Sequence, residues 1–470
     1  VTAGAGARHP RPAPGAPVNP PRTGFNASWL QRQLRALIGP PRGLRLCVAY
    51  SGGLDSASLL SALAAARARA GFRLRALHVD HGLHPQSAHW AALACAQARR
   101  ARVRCDAIRV RIERDGASLE AAARAARYAA LARALTPGEL LLTAHTQDDQ
   151  LETVLLALLR GSGVRGLAGM DSVSQFGDTR LVRPLLNVSR LQLERYARRR
   201  ALAVTQDPSN QDERMDRNYL RLRVVPLLRT RWPAAAVTAG RSARHLAEAQ
   251  GLLERAARAA LAAAADGAAL RVSALRAMSL VERRNALRYW IRARGLPMPD
   301  HRRLGEIAGP MLAARTDASP RVRWRGGELR RHGDRLVASS VEAVSAPPAE
   351  LTWDWRAVPQ LALPAGGVIA LLPDALGEIA VSALPCPLRV CFRRGGERLA
   401  QAGGHLALKD LLQQRGIEPW LRAAVPLLAS GQRILAVADL WLDVGIQAHA
   451  PRSTGPRARL RWRPPTGDGD

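Results

Sequence analysis

Residues 44–71 constrain the fold more than any other stretch of this chain. An apolar run, LRLCVAY, feeds the loop Ser51-Gly-Gly-Leu-Asp-Ser56, and a segment of small and apolar residues follows. The run has strand length and carries β-branched Val48. Beyond the loop, Leu59, Leu60 and Leu63 recur at helical spacing until Gly71 offers a stop. A strand delivered through a glycine turn into a helix start is a trap for phosphate. Gly52 and Gly53 let the backbone turn tightly and approach a ligand, and Ser51 and Ser56 supply hydroxyls. The helix N-terminus adds unpaired N–H groups and a partial positive charge. No lysine follows the glycines, so this is not a Walker A loop. Asp55 among phosphates makes sense with Mg²⁺ between them. The plain alternative is a glycine turn of no chemical consequence.

SGGLDS resembles the PP-loop of enzymes that cleave ATP between the α- and β-phosphates, where pyrophosphate is held while an acceptor oxygen takes AMP. Amide-forming synthetases, tRNA thiolases and tRNA-lysidine synthetases share that loop. The rest of the chain must distinguish them.

With 470 residues the chain can hold two or three domains with sizeable cores. Its 70 basic residues exceed its 38 acidic ones, a net charge of +32 that points to a polyanionic partner, of which nucleic acid is the usual one. Lys409 is the sole lysine. A GC-rich coding bias explains arginine replacing lysine, but not the excess of base over acid. No window approaches the ~18 consecutive apolar residues of a spanning helix, so no membrane is expected. Residues 1–24, rich in Pro, Gly and Ala, read as a disordered tail and not a signal peptide. Cys47, Cys95, Cys105, Cys386 and Cys391 form no CxxC pair, which argues against a disulfide framework or zinc site and fits a reducing cytoplasm.

Periodicity predicts helices over 29–38, 87–100 and 118–135 and from Asp148 onward, with strands over 44–50, 74–79, 103–112 and 139–145. This alternation predicts a parallel sheet with helices on both faces. Ligands of such sheets lie beyond the carboxyl ends of the strands. Residues 51–56, 78–81 and 145–149 all fall there, so one nucleotide-binding crevice is expected. In HVDHG, His78 has two readings: a group beside the adenosine or ordering a loop, and a hydrogen-bonded core residue. A metal site is disfavoured, because a strand sends alternate side chains to opposite faces.

In HTQDDQLET, which opens with His145, Asp149 and Glu152 stand three apart at a helix start and face the same way. The helix dipole alone favours acids there. Asp148 adds a third carboxylate, and such a cluster is costly without a cation, either Mg²⁺ or a substrate ammonium. Glu120, Arg124, Arg127 and Tyr128 share a helix face. That face is either an exposed Glu120–Arg124 ion pair or an arginine pair facing phosphates. Gly161, Gly163, Gly166 and Gly169 break the next helix with a cationic loop suited to admitting a large substrate. Asp207-Pro-Ser-Asn210 reads as a turn. Beyond it, Arg217-Asn-Tyr-Leu-Arg221 places two arginines one turn apart, either on phosphates or on a plain linker helix.

Taken in order, SGGLDS, HVDHG, EAAARAARY, HTQDDQLET, RGSGVRGLAGM, DPSNQDERMDRNYLRLRVVPLL and FRRGGERL resemble the bacterial tRNA(Ile)-lysidine synthetase family along nearly the whole chain. The missing CxxC pairs count against a PP-loop thiolase, and the missing glutaminase region against an amide-forming synthetase. The resemblance implies an α/β fold: a PP-loop (adenine nucleotide α-hydrolase-like) parallel sheet with helices on both faces, over 25–216. A helical tRNA-binding middle domain (217–345), a linker with short strands (346–387) and a small mixed α/β C-terminal domain (388–465) would follow.

It also implies a reaction. ATP adenylates the C2 carbonyl oxygen of the wobble cytidine in the CAU anticodon of tRNA(Ile), releasing pyrophosphate, and the ε-amine of free L-lysine then attacks C2 and displaces AMP. Codon specificity changes from AUG to AUA, and amino-acid identity from Met to Ile. Ser51, Gly52, Gly53, Leu54, Asp55, Ser56 and His78 would bind ATP, with Asp55 holding Mg²⁺. Asp149 and Glu152 would bind lysine, with Asp55 and His145 completing the catalytic set. Arg124, Arg127, Arg217, Asn218 and Arg221 would contact tRNA or phosphate. A cytoplasmic location follows, and a homodimer is left open. The rivals are a PP-loop tRNA thiolase and a tRNA-binding protein without catalysis.

Overall fold

The computed structural model describes residues 24–82, 84–112, 119–205, 211–340, 350–364, 366–401, 404–418, 421–448 and 455–463. The expected tail (apart from Gly24), Ser118 at the expected start of the 118–135 helix and the 207–210 turn lie outside them, as does the Glu120 side chain. The chain divides into two compact units at Gly251 and Leu252.

In the first unit, α1 (Ala27–Ile38) precedes an alternating series of β1 (Arg45–Ala49), α2 (Leu54–Ala70), β2 (Arg73–Asp80), α3 (Ser87–Arg100), β3 (Arg104–Arg109), α4 (Leu119–Ala134), β4 (Glu139–Leu142) and α5 (Gln147–Leu159). A short α6 (Val164–Leu167), the hairpin of β5 (Val173–Phe176) and β6 (Thr179–Val182), and α7 (Arg190–Arg199) follow. The sheet order is β3-β2-β1-β4-β6-β5, parallel except for the edge pair β5–β6. The order therefore reverses beside β1: the chain moves outward through β2 and β3, then returns to place β4 on the other side. At such a switch point the loops leaving neighbouring strands diverge and open a crevice. The loop after β1 is 51–56, and the loop after β4 carries His145.

The core forms because α2 and β1 are apolar on the faces that meet. Leu46, Val48, Leu59, Leu63 and Leu142 are all buried in one cluster with Trp29 and Leu34 of α1. Cys47, Leu77, Leu131 and Leu141 fill the opposite face of the sheet. On the solvent-side edge of that layer, Arg75 pairs with Glu139, Nε to Oε1 at 2.7 Å and Nη2 to Oε2 at 2.6 Å.

The boundary expected after residue 216 does not separate two domains. α8 (Asp216–Tyr219) runs through a π-helical turn, Leu220–Val224, into α9 (Val225–Arg231), and this segment packs on α5 through Leu151 and Val225. Arg217 and Arg221 thus belong to the first unit.

In the second unit, the middle stretch is not purely helical as expected. Besides helices such as Leu280–Ala293, it holds an antiparallel five-stranded sheet that includes Arg321–Trp324, Gly327–His332 and Arg335–Ser339. Arginines alternate there with Val322, Trp324, Leu329 and Leu336, so the basic composition masked a strand period of two. The stretch expected as a linker does carry short strands, but from Glu350 they are integral to the C-terminal sheets. Glu350–Trp353 pairs with Leu388–Phe392, and Val368–Pro373 pairs with Arg457–Arg463. Among the described residues no helix is long and apolar enough to cross a membrane.

Candidate active site

The 51–56 loop is shaped by its glycines and closed by its serines. Gly52 has φ +81°, and a Cβ there would lie 3.1 Å from the Cβ of Ala94 in α3 and 3.4 Å from Thr205 Oγ1. Its carbonyl accepts from Thr205 N at 2.9 Å, which fixes the loop from outside. Ser51 Oγ and Ser56 Oγ lie 3.0 Å apart, and Ser56 Oγ also donates to Gly53 O at 3.1 Å. Gly53 is the N-cap of α2 and supplies no capping side chain. The first N–H groups of a 17-residue helix, from Leu54, are thus left facing the crevice for an anion.

Asp55 follows in that first turn. Its Oδ1 is buried with no hydrogen-bond partner, and burial is the main cause that pushes its pKa up to about 6. A carboxylate beside a phosphate trap, with an orphaned buried oxygen, fits a magnesium ion that takes its other ligands from phosphate and water.

His78, buried near the end of β2, donates from Nδ1 to Tyr50 O at 2.9 Å, because a carbonyl can only accept. Burial lowers its pKa, so the ring is neutral at ordinary pH and Nε2 is left as an acceptor. Asp80 Oδ1 accepts from Gly82 N at 2.9 Å and so orders the following turn.

The loop after β4 starts α5 with a capping box. Thr146 Oγ1 accepts from Asp149 N, and Asp149 Oδ2 accepts from Thr146 N at 2.8 Å and from its hydroxyl at 2.9 Å. This fixes one oxygen of Asp149 and aims the other outward. Asp149 Oδ1 accepts from Arg217 Nη2 and Arg221 Nη2, each at 3.0 Å. One turn on, Glu152 is 2 % exposed. Its Oε2 accepts from Arg217 Nε at 2.8 Å and Arg221 Nη2 at 2.9 Å, and its Oε1 from Arg221 Nε at 2.7 Å. Two carboxylates and two guanidiniums thus form one closed cluster.

The cluster sets its own charge states. Burial alone would raise Asp149, but Arg217, His145, the Thr146 N–H and Arg221 outweigh it and hold the carboxyl below its usual range. Burial disfavours the charge on Arg221, and the bonds to Glu152 more than restore it. His145 Nδ1 lies 2.8 Å from Thr143 Oγ1. Burial, opposed by Asp149 and reinforced by Arg183, Arg217 and Arg124, lowers its pKa to about 3. His145 is a neutral imidazole here.

Asp148, read from sequence as a third member of a cation-seeking cluster, is held elsewhere. Its Oδ2 accepts from Arg190 N at 2.7 Å, at the start of α7, and its Oδ1 pairs with Arg229 of α9. It tethers two helices to α5. Arg217 and Arg221, expected on phosphates, hold carboxylates in this structure. Asn218 is buried and donates to Asp212 O at 3.0 Å, which orders the turn before α8. Arg124 and Arg127 lie over the Tyr128 ring at 5.1 and 5.5 Å. Arg183, just beyond β6, escaped the sequence reading; a lone arginine ending the apolar strand of LVRPLL was its only signal.

Comparison with known proteins places these elements in a family. Residues 26–228 match the PP-loop domain, residues 270–337 the TilS substrate binding domain, and residues 388–462 the TilS substrate C-terminal domain. A tRNA(Ile)-lysidine synthase of Alkalilimnicola ehrlichii is 44% identical over 427 residues, covering 89% of this chain and 94% of that protein. The protein of the same name from Pseudomonas aeruginosa is 42% identical, covering 90% and 94%. That from Methylococcus capsulatus is 40% identical, covering 84% and 91%. Among solved structures, the U34-tRNA thiolase NcsA from Methanococcus maripaludis overlaps 47% of this chain and 78% of its own at 16% identity, with a TM-score of 0.39. A TILS C-terminal domain overlaps 24% of this chain and 97% of its own at 22% identity, with a TM-score of 0.20.

Proposed function

Because this chain belongs to the tRNA(Ile)-lysidine synthase family, we propose that it joins free L-lysine to C2 of the wobble cytidine in the CAU anticodon of an isoleucine tRNA, consuming ATP and releasing AMP and pyrophosphate. The reaction would take place in the cytoplasm. The observation that carries the lysine assignment is the Asp149–Glu152 pair, a buried anionic seat already filled by cationic N–H donors.

The chain's residues divide the work. The 51–56 loop and the start of α2 hold the β- and γ-phosphates and orient the α-phosphate toward the base oxygen. Asp55 would hold Mg²⁺, which when bound neutralises charge on the phosphates as pyrophosphate leaves. Lysine brings an ammonium to Asp149 and Glu152 in competition with Arg217 and Arg221. Its attacking amine must lose a proton, and a carboxylate of this pair lies where it can accept one. His145, neutral and hydrogen-bonded to Thr143, adds no charge that would repel the incoming ammonium. An arginine released from the pair is free to face the phosphates of the adenylation step.

The deciding experiment supplies labelled lysine, ATP and Mg²⁺ to an unmodified CAU-anticodon isoleucine tRNA, with initiator methionine tRNA as control. Incorporation into the isoleucine tRNA alone, matched by AMP, is the expected result. AMP formation that depends on tRNA but proceeds without lysine transfer would overturn the choice of nucleophile.

A further inference from the structure

Arg183 is buried, lies one residue past the end of β6, and has no role in the chemistry above. Its Nη1 donates to Asp171 O at 2.8 Å and Ser174 Oγ at 3.1 Å, while its Nε is buried without any hydrogen-bond partner. A buried guanidinium is ordinarily matched by a carboxylate, and an orphaned buried donor is costly. Among the described residues no carboxylate closes a salt bridge on Arg183, Arg124 or Arg127: Arg183 shares a side-chain hydrogen bond with Tyr128, and the Asp171 carboxylate favours its charge only from further off, while the Arg124 and Arg127 guanidiniums lie against the same Tyr128 ring.

These cations crowd one place. Arg124, Arg183 and Arg217 each oppose protonation of His145, and Arg124 acts in the same sense on Arg127 and Arg183. Of the group, Arg217 alone is neutralised by the carboxylates of α5. A concentration of positive charge with an unfilled donor is what an oxyanion site looks like before its ligand arrives.

Sheet order locates this charge relative to the nucleotide loop. β6 lies two strands from β1, with β4 between them, so its end stands roughly 10 Å from the 51–56 loop. Pyrophosphate and this second cationic cluster therefore fall on opposite sides of the start of α5, which carries Asp149 and Glu152. A base held between the two must bring its own backbone, and the backbone phosphate needs a seat on the outer side.

We propose that Arg183 is an RNA-phosphate ligand: with Arg124 and Arg127 it seats one phosphodiester of the RNA strand entering the crevice, on the far side of β4 from the nucleotide loop. The inference rests on the tRNA-substrate reading above. Its test requires neither lysine nor turnover, so it can fail independently of the ligation.

The experiment measures equilibrium binding of an unmodified CAU-anticodon isoleucine tRNA transcript to the full chain, without ATP, across a salt series. Binding of ATP alone is measured in parallel. R183Q is expected to weaken tRNA binding roughly tenfold and to lower the slope of log affinity against log salt by about 0.7–0.9, the release expected for one phosphate contact. ATP affinity should not change. R183K keeps the charge and should retain the wild-type salt slope with somewhat weaker binding. Ser174→Ala, which removes only one anchor of the guanidinium, should leave the slope intact.

An unchanged salt slope in a folded R183Q would overturn the proposal and leave Arg183 as a brace for residues 171–174. Weakened ATP binding with an unchanged tRNA slope would also overturn it, by assigning the seat to a nucleotide phosphate. If R183Q does not fold, R183K decides: weaker tRNA binding at constant slope supports the seat, and wild-type affinity removes it.

Discussion

Arg221 grips Glu152 with two parallel bonds, Nε to Oε1 at 2.7 Å and Nη2 to Oε2 at 2.9 Å, and the same Nη2 reaches Asp149 Oδ1 at 3.0 Å. Fork-to-carboxylate geometry of this kind is among the strongest polar contacts a protein makes. Any lysine ammonium entering here must displace at least part of it.

Glu152→Gln should therefore affect both fold and function. It removes the charge that neutralises two arginines at a site 2 % exposed, which costs on the order of 3 kcal/mol. In those molecules that remain folded, the KM for lysine should rise roughly tenfold or more while that for ATP changes little. Urea melts and steady-state kinetics read the two effects separately. A lysine KM equal to the wild type would remove Glu152 from the lysine seat.

Asp148→Asn, one residue from Asp149, should behave differently. Its carboxylate holds the first N–H of α7 and the guanidinium of Arg229, so the loss falls on stability, at about 2 kcal/mol. The lysine KM of the folded enzyme should stay within twofold or so of wild type. Thermal melting beside kinetics tests this, and a selective rise in lysine KM would contradict it.

Asp55→Asn should trade activity for stability. Burial raises the folded pKa of Asp55 to about 6, above the value of an unfolded aspartate. The folded state then binds the proton more tightly, so stability falls as pH rises through that window and the full penalty is present at pH 7–8. The variant removes the penalty, and its melting temperature without Mg²⁺ should equal or exceed that of the wild type. Pyrophosphate release should drop roughly a hundredfold or more, as expected when a charge that serves the transition state is lost.

His145 predicts an acid limb of stability. Its folded pKa of about 3 lies below the value near 6.5 of an unfolded histidine. Between those values the unfolded chain binds the extra proton, so stability is complete above pH 6.5 and declines toward pH 3. The slope approaches about 1.4 kcal/mol per pH unit at most. His145→Gln should flatten that part of the pH–stability curve, which chemical denaturation at stepped pH would reveal. An identical slope in the variant would place the ring in a less buried state.

Gly52→Ala should disable the nucleotide loop. A Cβ there would press on Ala94 at 3.1 Å, in a backbone conformation with φ +81° that alanine disfavours by about 1–2 kcal/mol. ATP affinity should fall while tRNA binding is preserved, as equilibrium binding of each substrate alone would show.

Most of the first unit was legible because its elements are local and periodic. Leu59, Leu60 and Leu63 announce α2, β1 is an unbroken apolar run, and alternation of strand with helix implies the parallel sheet that brings 51–56 and 145–149 together. The sheet of the second unit was not legible, since arginines occupy the exposed alternate positions of Arg321–Trp324 and stand beside the other strands, so that the stretch reads as a basic helix. In the site, the spacing of Asp149 and Glu152 displayed a shared face. That Arg217 and Arg221 close on those carboxylates depends on a contact 65 to 72 residues away in sequence, which spacing cannot reveal. Asp148 misled for the opposite reason: sequence adjacency to Asp149 suggested a shared role, and the helical turn sends the two side chains to different partners.

The tether at Asp148 has a genetic corollary. Its two partners lie 42 and 81 residues further along the chain, so damage at position 148 should be repaired by second-site changes in α7 or α9, far from the motif that was hit. Damage at position 149 or 152 should not be repaired by regained stability alone, because in the proposed reaction these carboxylates also seat the substrate. Revertants selected from the two neighbouring lesions should form different sets, and the line between them would separate the residue of HTQDDQLET that only holds the protein together from those proposed to seat lysine as well.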